Sequence, residues 1–340
     1  MKKVLLVLAV PALLTVSCYF NVTSVHPSAT AFRVVTDSPF FLNGRQGITG
    51  MATDGTVVVA VSYEGTIAFS ENHGVNWRLA ESMGGGFSGA INFNDVAWGG
   101  GYFLAVGDFG RAAWSGDGKN WQTGVIGPMS PRDALAVSVG RMKNRLVFIV
   151  GGTHGRIAYA LHSPEGPWFQ VPFSPFGDTD AWGESVRAIS HGRIDGFDFF
   201  IAVGDTGNVG IMKDFSGNLY GPSSMPSRQR LQGLAFGNNR FIAVGDAATM
   251  MVSVDPKNYI WTPVRETGFV MRPFIDVAFY PGLGLFVLVA SGSVVGYSVT
   301  GESWSAASFA DHFAEGISSV VGTNRRIVLG GADGVIAFSN

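Results

Sequence analysis

Several carboxylates in this chain stand at recurring places where they could do chemistry. Asp108, Asp205 and Asp246 each follow a glycine at the end of an apolar run, and Glu64, His154 and Asp333 occupy comparable places. An acid in such a position either satisfies its own turn backbone or, with its counterparts, forms an acidic rim that could hold a cation or a basic partner. Asp95, Arg187 and Asp276 differ, because each stands near the start of a strand-like run where no turn requires it. They are candidate ligand-binding groups. Asp178, Asp180 and Glu184 could chelate calcium, but their spacing matches no known loop. The six histidines form no HxxxH or HxH pair, and the chain has no P-loop, GxSxG or CxxC motif. No cofactor and no metal is expected.

The elements that must position these groups repeat. Seven times a short apolar run ends in a tight turn and restarts, with turns ending at Gly65, Gly110, Gly155, Gly207, Ala248, Ser293 and Gly334. The intervals are 45, 45, 52, 41, 45 and 41 residues, the period of four-stranded propeller blades. Second-strand runs such as Val57–Val61, Leu146–Val150, Phe199–Val203 and Leu285–Val289 are apolar on both faces, as strands sandwiched between sheets must be. An outer-membrane barrel would instead alternate apolar and polar residues. The units are 48–80, 93–124, 134–172, 185–223, 231–264, 274–307 and 316–340. The last unit stops before a fourth strand, and Ala31–Val35 is an orphan strand of suitable length. The expected fold is all-β: a seven-bladed propeller of four-stranded antiparallel blades, spanning 31–340 and closed by this N-terminal strand.

Composition agrees with many buried strands and tight turns. Charged residues are 14% and aromatics 12%, with 47 glycines. The 23 basic and 25 acidic residues, without a long basic run, leave no footprint for nucleic acid. Residues 1–17 read as an export signal, with Lys2 and Lys3 before an apolar stretch, Val4–Leu14, too short to span a bilayer. Cys18 is the only cysteine, so no internal disulfide can form.

Further along each unit stands a second signature: Ser70, Asn72, Gly74 and Trp77; Ser115, Asp117, Gly118 and Trp121; Ser298, Thr300, Gly301 and Trp304. Weaker forms are Ser163, Glu165, Gly166 and Trp168, then Ser253, Asp255 and Trp261. These resemble the Asp-box, or BNR repeat, SxDxGxxW, of sialidase-like propellers and of propeller assembly factors of the Ycf48 type. The resemblance implies a structural turn on the face opposite any active site. Sialidases also carry a Phe-Arg-Ile-Pro segment, two further carboxylate-clamping arginines and a Tyr/Glu nucleophile pair; Phe32-Arg33-Val34-Val35 matches the first only by half. Thr15-Val16-Ser17-Cys18 resembles the lipobox of bacterial lipoproteins, with Leu14 one position early. This implies lipid attachment at Cys18, a tether over 18–30, and a periplasmic or cell-surface location.

The working face is then the one bearing the second-to-third turns and blade-to-blade connections. Its long connections carry Phe87, Phe176, Trp182, Phe309 and Phe313, which either serve an interface or pack inward over the blades. The expected function is a monomeric, non-catalytic binding or assembly scaffold of the bacterial envelope that takes a protein or glycan on this face. Asp95, Arg187, Asp276, Asp108, Asp205, Asp246, Phe176 and Trp182 are its candidate contacts. A sialidase-like glycoside hydrolase and a purely structural surface antigen are the competing readings.

Overall fold

The computed structural model describes residues 32–340 except 43, 45, 85–90, 173, 177–183, 214–218, 222–226, 266–267, 270–271 and 310–312. Its strands form seven sheets. Blade 1 is Ile48–Thr53, Val58–Ser62, Ile67–Ser70 and Arg78–Leu79; blade 2 is Phe93–Gly99, Tyr102–Gly107, Arg111–Ser115 and Asn120–Val125. Blade 3 is Ala134–Met142, Arg145–Gly152, Ile157–Leu161 and Trp168–Gln170, and blade 4 is Val186–Ile194, Phe197–Gly204 and Val209–Met212. Blade 5 is Leu231–Gly237, Arg240–Gly245, Met250–Asp255 and Ile260–Pro263; blade 6 is Phe274–Tyr280, Leu285–Ala290, Val294–Ser298 and Ser305–Ser308. Blade 7 combines Ile317–Gly322, Ile327–Gly331 and Ile336–Ser339 with the N-terminal strand Phe32–Val34. The first strand of each blade packs against that of the next, and blade 7 packs against blade 1, so the ring is closed.

Apolarity on both faces makes this arrangement necessary. Val58–Ser62 and Leu146–Gly152 are buried along their whole length, because each second strand lies in the middle of its sheet with a neighbouring blade on either side. The second strand turns into the third through two successive left-handed residues, for example Phe109 at φ 58° and Gly110 at φ 69°. At the other end of the third strand, Ser115 Oγ accepts from Gly118 N at 2.9 Å, and Asp117 Oδ1 accepts from Lys119 N and Asn120 N. Burial tends to raise the Asp117 pKa, but these bonds and those from the Asn120 and Ser115 side chains outweigh it and hold the carboxyl well below the usual range. Gly118 is required there: it stands at φ +76°, and a Cβ would come within 3.0 Å of Val59 in blade 1. The indole N–H groups of Trp77, Trp121 and Trp304 close their turns by donating to the carbonyls of Gly74, Gly118 and Gly301 at 2.8, 2.9 and 2.9 Å.

Two blades depart from the expected pattern. Blade 2 gains a fifth strand, Ser82–Gly84, running parallel to Asn120–Val125. The described residues of blade 4 make three strands, with one bridge between Ile211 and Tyr220 in place of a fourth; that unit has no Ser…Gly…Trp turn to direct the chain back. The orphan strand falls where the sequence places it: Phe32, Arg33 and Val34 pair antiparallel with Ser339, Phe338 and Ala337. Val35 N continues the pairing with a 2.8 Å bond to Ile336 O, and Phe32 packs edge-on against Phe309.

Val35→Pro removes that bond and intrudes into the closing seam. It should cost about 3 kcal/mol, read as a lower midpoint in urea unfolding.

Candidate functional site

Each first strand carries a one-residue bulge at the same height. The register skips Thr49, Asn94, Leu135, Arg187, Gln232, Ile275 and Ser318 in blades 1 to 7. A bulge re-aims the extra side chain, and these seven residues line the channel mouth on the face of the second-to-third turns. Below the mouth lies a cavity of about 620 Å³.

The turn acids fix three members of this ring. Asn94 Nδ2 donates to Asp108 Oδ1 at 3.2 Å, and Gln232 Nε2 to Asp246 Oδ1 at 2.6 Å. The Arg187 guanidinium grips Asp205 with two bonds, Nε to Oδ1 at 3.0 Å and a terminal nitrogen to Oδ2 at 3.3 Å. Asp246 also accepts from Arg230 Nε at 3.0 Å. Asp108, Asp205 and Asp246 thus neither form an open anionic rim nor serve only their own turns: their carboxylates orient the polar ring. Two further ring members tie neighbouring blades together: the Thr49 hydroxyl lies 2.8 Å from Phe93 O, and the Ser318 hydroxyl 2.6 Å from Ile48 O.

Asp95 and Asp276 lie one step deeper, in equivalent positions on blades 2 and 6. Asp95 accepts from Val96 N at 2.8 Å and from Val137 N of blade 3 at 2.9 Å. Asp276 repeats this with Val277 N at 2.8 Å and Val320 N of blade 7 at 2.9 Å. Each carboxylate thus joins its blade to the next across the channel wall. The preceding blade has glycine at this level, and a Cβ on Gly50 would approach Asp95 Oδ1 to 3.0 Å. Both acids open partly onto the channel and are enclosed by protein elsewhere. Burial raises Asp95 to about 7, against the opposing pull of its two amide bonds, and the charge of Asp276 adds to the rise. Burial likewise raises Asp276 to about 6.

The other candidates separate. Phe176 is not a surface contact: it is 2% exposed and packs with Val171, Val186 and Leu219 between blades 3 and 4. Phe309 and Phe313 are buried in the same manner. Trp182, Phe87, Asp178, Asp180 and Cys18 lie outside the described residues. Glu184 bonds Thr206 and Asn208. The sequence reading missed Asn94 and Gln232, although a signal existed: the bulged polar residue precedes its turn acid by 14, 18 and 14 residues in blades 2, 4 and 5. It also missed Trp98, Phe236 and Phe279, which line the opposite end of the channel. Among the described residues lining the cavity and its mouth, Arg187 is the one arginine, so no three-arginine carboxylate clamp converges there.

Seven radial sheets around a channel ringed by bulged side chains define a seven-bladed β-propeller. Neither a protein-family model nor a curated protein sequence matches the chain. Solved propeller structures do resemble it. A structure described as "YCF48 bound to D1 peptide" superposes with a TM-score of 0.68 at 13% identity, covering 91% of this chain and 94% of that one. YCF48 from Cyanidioschyzon merolae gives 0.65 at 15% identity, covering 91% and 98%. The WD40 propeller domain of Doa1 gives 0.63 at 14% identity, covering 87% and 94%.

The raised acids have a consequence for stability. A carboxyl whose folded pKa lies above its unfolded value of about 4 binds more protons when folded, so its contribution is full below about pH 4 and is lost as pH rises towards 7. Urea unfolding between pH 4 and 7.5 should show Asp95→Asn gaining stability relative to the wild type as pH rises. A constant difference across that range would mean that Asp95 titrates normally.

Proposed function

We propose that this propeller is a non-catalytic scaffold that binds a protein partner at the channel mouth. The observation that carries the reading is the latched ring: Asn94, Arg187 and Gln232 are held in fixed orientations by Asp108, Asp205 and Asp246, presenting preorganised hydrogen-bonding groups around an open mouth. Tyr63 and Phe109 stand exposed beside it on blades 1 and 2, giving the apolar surface that such an interface uses. A solved propeller of like fold is described as bound to a peptide, which supports a protein over a glycan as partner. The sialidase-like reading is the weaker one, because the two channel carboxylates are committed to neighbouring amides and stand without an arginine cluster.

The Ser…Gly…Trp turns suit the BNR type of propeller and belong to the scaffold's construction. We further place the chain in a bacterial envelope, exported by residues 1–17 and held to a membrane by a lipid on Cys18. This rests on the Lys2-Lys3 start, the apolar stretch and the single cysteine.

Affinity capture from envelope extract should yield a specific protein band that weakens at least tenfold with Arg187→Ala combined with Gln232→Ala while the variant stays folded. An unchanged band would move the interface off the mouth, and hydrolysis of a fluorogenic sialoside would replace the scaffold reading with the hydrolase. In labelled-palmitate incorporation, Cys18→Ser should lose the label; a labelled variant would refute the anchor.

A further inference from the structure

The face opposite the channel mouth carries a surface that the partner site does not use. It lies where blades 4 and 5 meet. Phe197, in the first hairpin of blade 4, is 50% exposed, and Val254 and Ile260, flanking the third-to-fourth turn of blade 5, are 53% and 50% exposed. Basic groups interleave with these apolar side chains. Lys257 Nζ sits 4.2 Å from the centre of the Phe197 ring, Lys213 Nζ 4.8 Å from that of Tyr259, and Lys143 donates its backbone amide to Asp198 at the edge of the same hairpin. Of the nearby acids, Asp198 is engaged by Arg193 and by that amide, and Asp255 accepts from Asn258; Asp195 remains exposed.

The turn that builds this surface departs from those of blades 1, 2 and 6. In blades 1, 2 and 6 the serine accepts from the turn glycine and the tryptophan donates to that glycine's carbonyl. Blade 5 replaces the glycine with a short helical turn, Pro256–Asn258, capped by Asp255. Ser253 Oγ and Trp261 Nε1 are then buried with no hydrogen-bond partner. Each such group costs about 1–3 kcal/mol, so the departure carries a stability penalty while it turns Val254 and Lys257 outward. A third observation concerns direction: Phe32 pairs with Ser339 at the end of the last strand remote from the second-to-third turns. Phe32, the first residue described, therefore lies at this same face.

We propose that this face docks on an anionic lipid surface, with Phe197, Val254 and Ile260 entering the headgroup layer and Lys143, Lys213 and Lys257 engaging lipid phosphates. Exposed apolar side chains ringed by lysines match a bilayer interface, where the stems bury and the ammonium groups reach the headgroups. Docked this way, the propeller turns its channel mouth away from the membrane, towards a partner. The membrane setting rests on the anchored reading given above; the surface itself is independent of the lipid.

The test reconstitutes the full chain with vesicles of phosphatidylcholine alone or of phosphatidylcholine with phosphatidylglycerol at about 7:3. Flotation on the neutral vesicles reads the anchor, whereas amide hydrogen exchange over 193–198 and 254–260 reads the docking. The expected result is slowed exchange in both segments on the anionic vesicles only. Lys143→Glu, Lys213→Glu and Lys257→Glu together should lower the docked-to-undocked ratio by on the order of a hundredfold. The single surface change Phe197→Ser should weaken docking without touching the core. Unprotected segments on anionic vesicles overturn the proposal whether or not the chain floats. Protection by polyglutamate but not by vesicles would also overturn it, assigning the surface to an acidic protein.

Discussion

Every blade of this protein has two apolar faces, and a sheet of that kind is stable only between two others. The whole structure depends on that constraint, because it forbids an open array: the end blades would each expose a full apolar face and a strand edge. Closure therefore falls to the pairing of Phe32–Val34 with Ile336–Ser339, which joins residues some three hundred positions apart. The same packing leaves the inner edge of each first strand facing a channel, where its amides have no fourth or fifth strand to meet. Asp95 and Asp276 serve some of those amides, each reaching one in its own blade and one in the next.

The channel acids also show how position can reverse an expectation. As free residues they look like ligands for a cation or a basic group, since no turn needs them. In the ring each accepts an amide from its own blade and one from the next. The turn acids Asp108, Asp205 and Asp246 undergo the opposite change. They look like ordinary turn chemistry, yet their carboxylates reach back to the bulged residues and orient the polar mouth.

The two faces of the disc divide the work. One presents bulged side chains held by turn acids, a preorganised mouth with exposed Tyr63 and Phe109 beside it. The other carries Ser…Gly…Trp turns whose bonds are internal in blades 1, 2 and 6, whereas in blade 5 that turn is abandoned and two buried polar groups go unsatisfied.

Much of the architecture was legible in the chain itself. The period near 45 residues, the doubly apolar second strands, the Gly-bounded turns and the orphan strand at Ala31–Val35 together determine seven blades and their closure, because these patterns are set by local backbone geometry and by burial on both faces. The site was less legible. The sequence marks Arg187, Asp205 and Asp246 as polar residues at strand starts and turns, but whether such groups meet depends on strand register, and a single bulge per blade decides it. It leaves Phe176 either at an interface or packed inward, and the ring is buried against Val171, Val186 and Leu219. Composition and spacing determined the scaffold; only the tertiary structure decided which polar groups are spent on holding blades together and which remain at the mouth, since hydrogen bonds between blades join residues that no local pattern relates.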